Sequence, residues 1–142
     1  MATLGPLALR IVQAEGPIST AEAARRIAAC FGREKAGSWI LAATQRALDG
    51  QRRIDADLRG DGDFWFTAAQ QVGPPVRDRS LEQGATLKAD AISMLEIRAA
   101  LAIARSDNAG GADADLVRSA ARLLGFRRVG PDLQARLQAG LA

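Results

Sequence analysis

Leu4, Leu7, Ile11 and Val12 recur at three- and four-residue spacing, which predicts an amphipathic first helix over about 6–15 that Gly16-Pro17 ends. Ile18 follows as a short extended link. Ser19-Thr20-Ala21-Glu22 then has the spacing of a capping box, with Ser19 bonding the amide of Glu22. The second helix sets Ala24, Ile27, Ala28 and Phe31 on one face and turns Arg25, Arg26 and Ala29 outward, and Gly32 reads as its left-handed stop. After Arg33-Glu34-Lys35-Ala36-Gly37 the pattern restarts over 38–48, with Ile40, Thr44, Ala47 and Leu48 inward, until Asp49-Gly50 breaks it. Two short helices around a glycine-bearing turn read as a helix-turn-helix.

Arg53-Ile54-Asp55-Ala56-Asp57, a turn at Gly60-Asp61-Gly62, and Asp63-Phe64-Trp65-Phe66 follow, which predicts a hairpin with aromatic residues on its returning strand. Three helices and a hairpin is the element order of a winged helix. Residues 67–89 show no sustained period and read as a surface linker between a winged unit over 1–66 and a second unit over 90–142. In that second unit Asp90 is expected to cap a helix over 91–105 with Ile92, Leu95, Ala99 and Ile103 inward, stopped by Asn108-Ala109-Gly110-Gly111. Asp113 opens the next helix, whose core face is Leu116, Val117, Ala120, Ala121 and Leu124 before Gly125. Pro131 starts a last helix reaching Leu141.

Sliding the chain by 93 positions lays 21–48 over 114–141, with eight identities in 28 columns: Ala21/Ala114, Arg25/Arg118, Ala28/Ala121, Gly32/Gly125, Gly37/Gly130, Ala42/Ala135, Gln45/Gln138 and Leu48/Leu141. The alanines carry little weight. The glycines, five residues apart in both copies, mark a helix stop and the turn before the next helix, where backbone geometry dictates the residue. The expected fold is therefore mainly α, with two related helix-turn-helix units, the first winged and the second without a wing.

Several segments in this order resemble a known family: Glu15-Gly16-Pro17-Ile18, Ala24-Arg25-Arg26-Ile27-Ala28, Phe31-Gly32 with Lys35-Ala36-Gly37-Ser38, Gly62-Asp63-Phe64-Trp65, Val76-Arg77-Asp78-Arg79-Ser80, and 117–126. The family is the uncharacterised C-terminal domain of large bacterial superfamily I helicase proteins, which often also carry a restriction-endonuclease-like nuclease domain. The resemblance covers most of the chain. It implies a DNA-processing or phage-defence setting and supplies no catalytic residues, while the helicase and nuclease domains themselves have no counterpart here.

A chain of 142 residues, 48% hydrophobic and 25% charged, is long enough to bury a core, and its Ala- and Leu-rich, Tyr-free composition favours closely packed helices. No run approaches the ~20 apolar residues of a membrane span, and the N-terminal segment lacks a basic n-region with a cleavage site, so a cytoplasmic location is expected. Cys30 is the lone cysteine and reads as a partly buried structural thiol. The net charge of +3 is spread evenly, because Lys and Arg exceed Asp and Glu by 9 to 8 over 1–66, 5 to 4 over 67–106 and 5 to 4 over 107–142. Seventeen of the nineteen cations are Arg, which suits bidentate phosphate contacts and equally suits a GC-rich coding sequence.

Without His, the Ser/His and Cys/His nucleophile arrangements are excluded, and the two lysines sit in no nuclease-like context. Asp55, Asp57, Asp61 and Asp63 alternate around the hairpin, where solvated polar residues are the ordinary outcome, so no metal is expected. The expected protein is not an enzyme and takes no cofactor, small-molecule substrate or membrane. DNA is its expected partner, through Arg33, Lys35, Ser38, Gln45 and Arg46 in the first unit and Arg127, Arg128, Gln134, Arg136 and Gln138 in the second. The acidic wing speaks against phosphate and for a second reading, an adaptor that docks on a helicase or nuclease protein through Trp39 and Trp65. A transcription regulator is a third.

Overall fold

A computed structural model describes residues 4–108 and 111–142; residues 1–3, and the Ala109 and Gly110 of the expected helix stop, lie outside the described residues. The fold is mainly helical with one small sheet, and the chain divides into two compact units, Met1–Val72 and Gly73–Ala142.

The first unit contains α1 (Leu4–Glu15), β1 (Ile18–Ser19), α2 (Thr20–Cys30), α3 (Ser38–Ile54), β2 (Leu58–Asp61), β3 (Phe64–Thr67) and α4 (Ala68–Val72). Ser19 is extended and accepts the amide of Glu22 at 3.1 Å, which starts α2 where the capping spacing predicts. Alanines 8, 23, 24 and 28 are fully buried, so the three long helices approach closely around Val12, Ile27 and Leu48. The sheet runs β1-β3-β2, all antiparallel, and Trp65 faces Ile18 on one side and Gly60 on the other.

Two expectations shift. Asp49-Gly50 does not end α3, which continues to Ile54, and the strands accordingly begin later, at Leu58 and Phe64. A glycine inside a helix costs only about 1 kcal/mol. The extra turn offsets that by laying the Arg52 guanidinium over the Trp65 ring, 5.2 Å from its centroid.

The second unit contains two short 3-10 turns (Gly84–Leu87 and Ala89–Ala91), then α5 (Met94–Asp107), α6 (Asp113–Leu123) and α7 (Pro131–Leu141). Its core joins Ile92, Ile97, Ala100, Leu101 and Ala104 to Leu116, Val117, Ala120, Ala121, Leu124, Leu133 and Leu137. The cap of α5 is Ser93, accepting the Glu96 amide at 3.1 Å, in place of the expected Asp90. The inward stripe moves with it: Ile97, Ala100, Leu101 and Ala104 are buried, Leu95 and Ala99 half-buried, and Ile103 exposed.

The stretch 67–89, expected as a surface linker, is built into structure at several points. Residues 68–72 form α4, Val76 packs on the second core, and Arg79 is buried there. Arg79 forms a bidentate pair with Glu96, Nη1 to Oε2 and Nη2 to Oε1 both at 2.6 Å, and the Arg77 amide donates to Glu96 Oε2 at 2.9 Å. Glu96 is 0% exposed, so burial of its charge is matched by three donors. The Arg79 amide also donates to the Leu124 carbonyl at 3.0 Å, so residues 76–80 form a strap bound to both α5 and the end of α6.

The internal repeat extends to backbone detail. Residues 20–30 and 113–123, the bounds of α2 and α6, correspond under the 93-residue shift, as do the starts of α3 and α7. Gly32 (φ +73°) and Gly125 (φ +93°) follow the two helices, with Arg33 N–H donating to Ala28 and Phe126 N–H to Ala121 at 2.9 Å each. Gly37 and Gly130 cap the following helices with φ near −75° and ψ near 174°. An ion pair one turn into the helix is repeated as well, Glu22 with Arg25 and Asp115 with Arg118.

Candidate nucleic-acid interface and a neighbouring apolar groove

In each unit a helix ends at a positive-φ glycine, a short turn crosses to a glycine N-cap, and the next helix begins with no side chain bonded to its first amides. Such a helix start leaves N–H donors for an anion, aided by the helix dipole, and α3 offers one more of them than α7, whose first residue, Pro131, has no N–H. The first turn of α3 carries no acid, whereas α7 carries Asp132. Around the α2–α3 turn, Arg33, Lys35, Ser38 and Arg46 are exposed. Around the α6–α7 turn, Arg127, Arg128 and Gln138 are exposed. None of these five arginine and lysine side chains is in an ion pair among the described residues, in contrast to Arg25, Arg26, Arg52, Arg79 and Arg118.

Three expected contact residues are placed differently. Gln45 is half-buried, accepts from Thr20 Oγ1 at 3.2 Å and donates to Asp49 at 3.2 Å, which spends its amide inside the unit. Arg136 is half-buried and donates to the Ile92 carbonyl at 2.5 Å. Gln134 is also half-buried. The amide of Gln45 and the guanidinium of Arg136 are thus bonded within the protein, while Arg33, Lys35, Ser38, Arg46, Arg127, Arg128 and Gln138 are exposed.

The hairpin tip, Asp61-Gly62-Asp63, is exposed and acidic, while Asp55 and Asp57 are partly used in the turn before β2: Asp55 Oδ1 accepts the Asp57 amide at 3.0 Å. Among the described residues no group of three or more His, Cys, Asp or Glu side chains is placed to hold a metal.

The two tryptophans differ sharply. Trp65 is 2% exposed and donates through Nε1 to Thr20 Oγ1 at 2.9 Å, so it belongs to the core and is not a docking residue. Trp39 is 67% exposed, and Phe31, expected inward, is 66% exposed because it lies at the C-cap of α2, past the last turn that faces the core. Cys30, expected to be partly buried, is exposed beside it. With Leu4, Ile27, Arg33, Ile40 and Ala43 these aromatics line an apolar groove of about 470 Å³ bounded by the start of α1, the end of α2 and the start of α3.

Sequence reasoning missed Phe31 as a surface residue and missed the Arg79–Glu96 pair altogether. Ser93-x-x-Glu96 has capping-box spacing and could have placed the start of α5 three residues after Asp90, but it carries no signal that the Glu96 carboxylate pairs with Arg79.

Over residues 1–42 the chain matches a family described as a protein of unknown function, DUF3320. That span covers α1, β1, α2 and the first residues of α3, including Phe31, Arg33 and Trp39. No curated protein and no solved structure matches the chain. Among the described residues no helix is long and apolar enough to cross a membrane.

Proposed function

We propose that this chain is a non-catalytic DNA-binding accessory protein of a DNA-processing or phage-defence system. Its two repeated units act as helix-turn-helices, the first winged by β2 and β3 and the second wingless. The observation that carries the reading is the duplicated turn, where unpaired exposed cations stand beside an uncapped helix start: Arg33 and Lys35 before α3, Arg127 and Arg128 before α7. Free N–H groups and cations at one helix end fit a backbone phosphate. The intramolecular bonds of Gln45 and Arg136 and the acidic wing tip favour binding with weak sequence preference. The defence setting rests on the resemblance to helicase-associated domains.

Fluorescence anisotropy with labelled double- and single-stranded DNA at low and physiological salt tests the reading. Binding should weaken steeply with salt, and an Arg127→Ala/Arg128→Ala double variant should lower the logarithmic salt slope by about 2. Absence of binding at low salt would sink the proposal.

A further inference from the structure

In the second unit the start of α7 faces the segment that leads into α5, and Arg136 of α7 tethers that segment by donating to the Ile92 carbonyl at 2.5 Å. Between the two lies an open cleft of about 800 Å³, whose lining includes Lys88, Asp90, Phe126, Arg128, Asp132 and Arg136. That volume falls within the roughly 300–1,000 Å³ of small-ligand sites. Lys88 and Asp90 stand outside the duplicated turn, so the cleft adds groups that phosphate contacts at Arg127 and Arg128 alone do not use.

Five of these six side chains are charged, and among the described residues none of the five is in an ion pair. Lys88, Asp90, Arg128 and Asp132 are exposed. Arg136 is half-buried, and its Nε is buried with no hydrogen-bond partner among the described residues. A guanidinium drawn partly out of water with no counter-charge favours an anion beside it. A bare anion is nevertheless a poor occupant, because Asp90 and Asp132 line the same cleft. The lining calls for one ligand with a negative group for three cations, N–H donors for two carboxylates and a flat apolar face for Phe126. A nucleotide has all three in its phosphate, the exocyclic amine of a base such as cytosine or adenine, and the base ring.

We propose that this cleft receives one unpaired nucleotide of a DNA strand. Lys88, Arg128 and Arg136 attract its phosphates, Phe126 supplies a face for its base, and Asp90 or Asp132 accepts from the base amine. A base paired and stacked in a duplex presents neither its ring face nor its pairing edge, so the cleft selects single-stranded or frayed DNA. The carboxylates also select among bases, since thymine has no exocyclic amine. The inference rests on the DNA-binding reading and adds a strand and base preference to it.

The test is anisotropy of the full chain at neutral pH with labelled oligo(dC) and oligo(dT) of about 12 nucleotides and with a duplex. We expect oligo(dC) to bind at least about fivefold more tightly than oligo(dT), and more tightly than the duplex. Asp90→Ala/Asp132→Ala should close the gap between the two oligonucleotides, and Lys88→Ala should lower the salt slope for both by about 1. All three positions are exposed, so the variants keep the core intact. Equal affinity for oligo(dC) and oligo(dT), a gap that survives the double variant, a salt slope that Lys88→Ala leaves unchanged, or a preference for the duplex would overturn the proposal. Salt-dependent duplex binding would in each of those cases leave the DNA-binding reading standing. No binding of any DNA at low salt would overturn both.

Discussion

Gly32 and Gly125 close equivalent helices with positive φ, but only Gly125 is pressed against other backbone. A Cβ on Gly125 would stand 2.3 Å from the Arg79 nitrogen and 2.4 Å from that of Ser80, whereas nothing lies within 4 Å of one on Gly32. Gly32→Ala should therefore cost only the left-handed penalty, about 1–2 kcal/mol. Gly125→Ala should cost more, because it must also push the strap away. Urea midpoints of the two variants, measured side by side, check the order; equal losses would contradict the strap's packing.

Arg79 and Glu96 should behave as a unit. Removing either partner leaves a buried charge and should cost about 3–5 kcal/mol, while replacing both with apolar residues of similar volume should cost far less than the sum. Denaturation of Arg79→Met, Glu96→Leu and the double variant gives the coupling directly. Additive losses would mean that the pair is not the source of the strap's hold.

Asp78 sits in the same strap and accepts from the backbone amide of Ser80, at 2.8 Å, and from its hydroxyl; these two bonds hold its carboxyl below the ordinary 3.8 against a small opposing effect of burial. A depressed folded-state pKa adds stability that is complete above 3.8 and fades as pH falls through the folded value. Asp78→Asn should lower the urea midpoint at neutral pH, and the gap to wild type should narrow below 3.8. A gap unchanged down to about pH 2 would contradict the assignment.

Thr20 gives the buried Trp65 indole its acceptor. Thr20→Val keeps the shape and strands the N–H, so it should cost about 1–3 kcal/mol. It should also leave the emission of the exposed Trp39 unchanged, which a Trp65→Phe background isolates for measurement.

Much of this arrangement is legible in the sequence where one residue's chemistry fixes the backbone. Ser19 before Glu22, Pro131 after Gly130, and the two glycine stops all stand where local rules put them. Errors arise where tertiary packing overrides a weak local signal. Gly50 continues a helix because the next turn has an aromatic ring to cover, and Glu96 occupies a core position that an apolar stripe cannot reveal, which displaced the reading of α5. Phe31 fits the inward period of α2 but lies one residue past its end, at the C-cap. At the candidate interface the cations of the turns were legible because exposed charge needs no partner. The internal bonds of Gln45 and Arg136 were not, since they depend on neighbours distant in sequence.

The strap also bears on the order in which the second unit assembles. Helices α5 and α6, and α6 and α7, meet through contacts between chain neighbours, which form quickly, and α5 meets α7 across the helix between them. The bond from the Arg79 amide to the Leu124 carbonyl instead closes a long loop, whose entropy must be lost before the contact forms. A three-helix core that gathers first and is latched afterwards would leave the latch as its least protected part, opening at a lower free energy than the helices beneath it. Glu96 would then meet water each time the latch lifts, so the ion pair that completes the unit would also be the place where it begins to come apart.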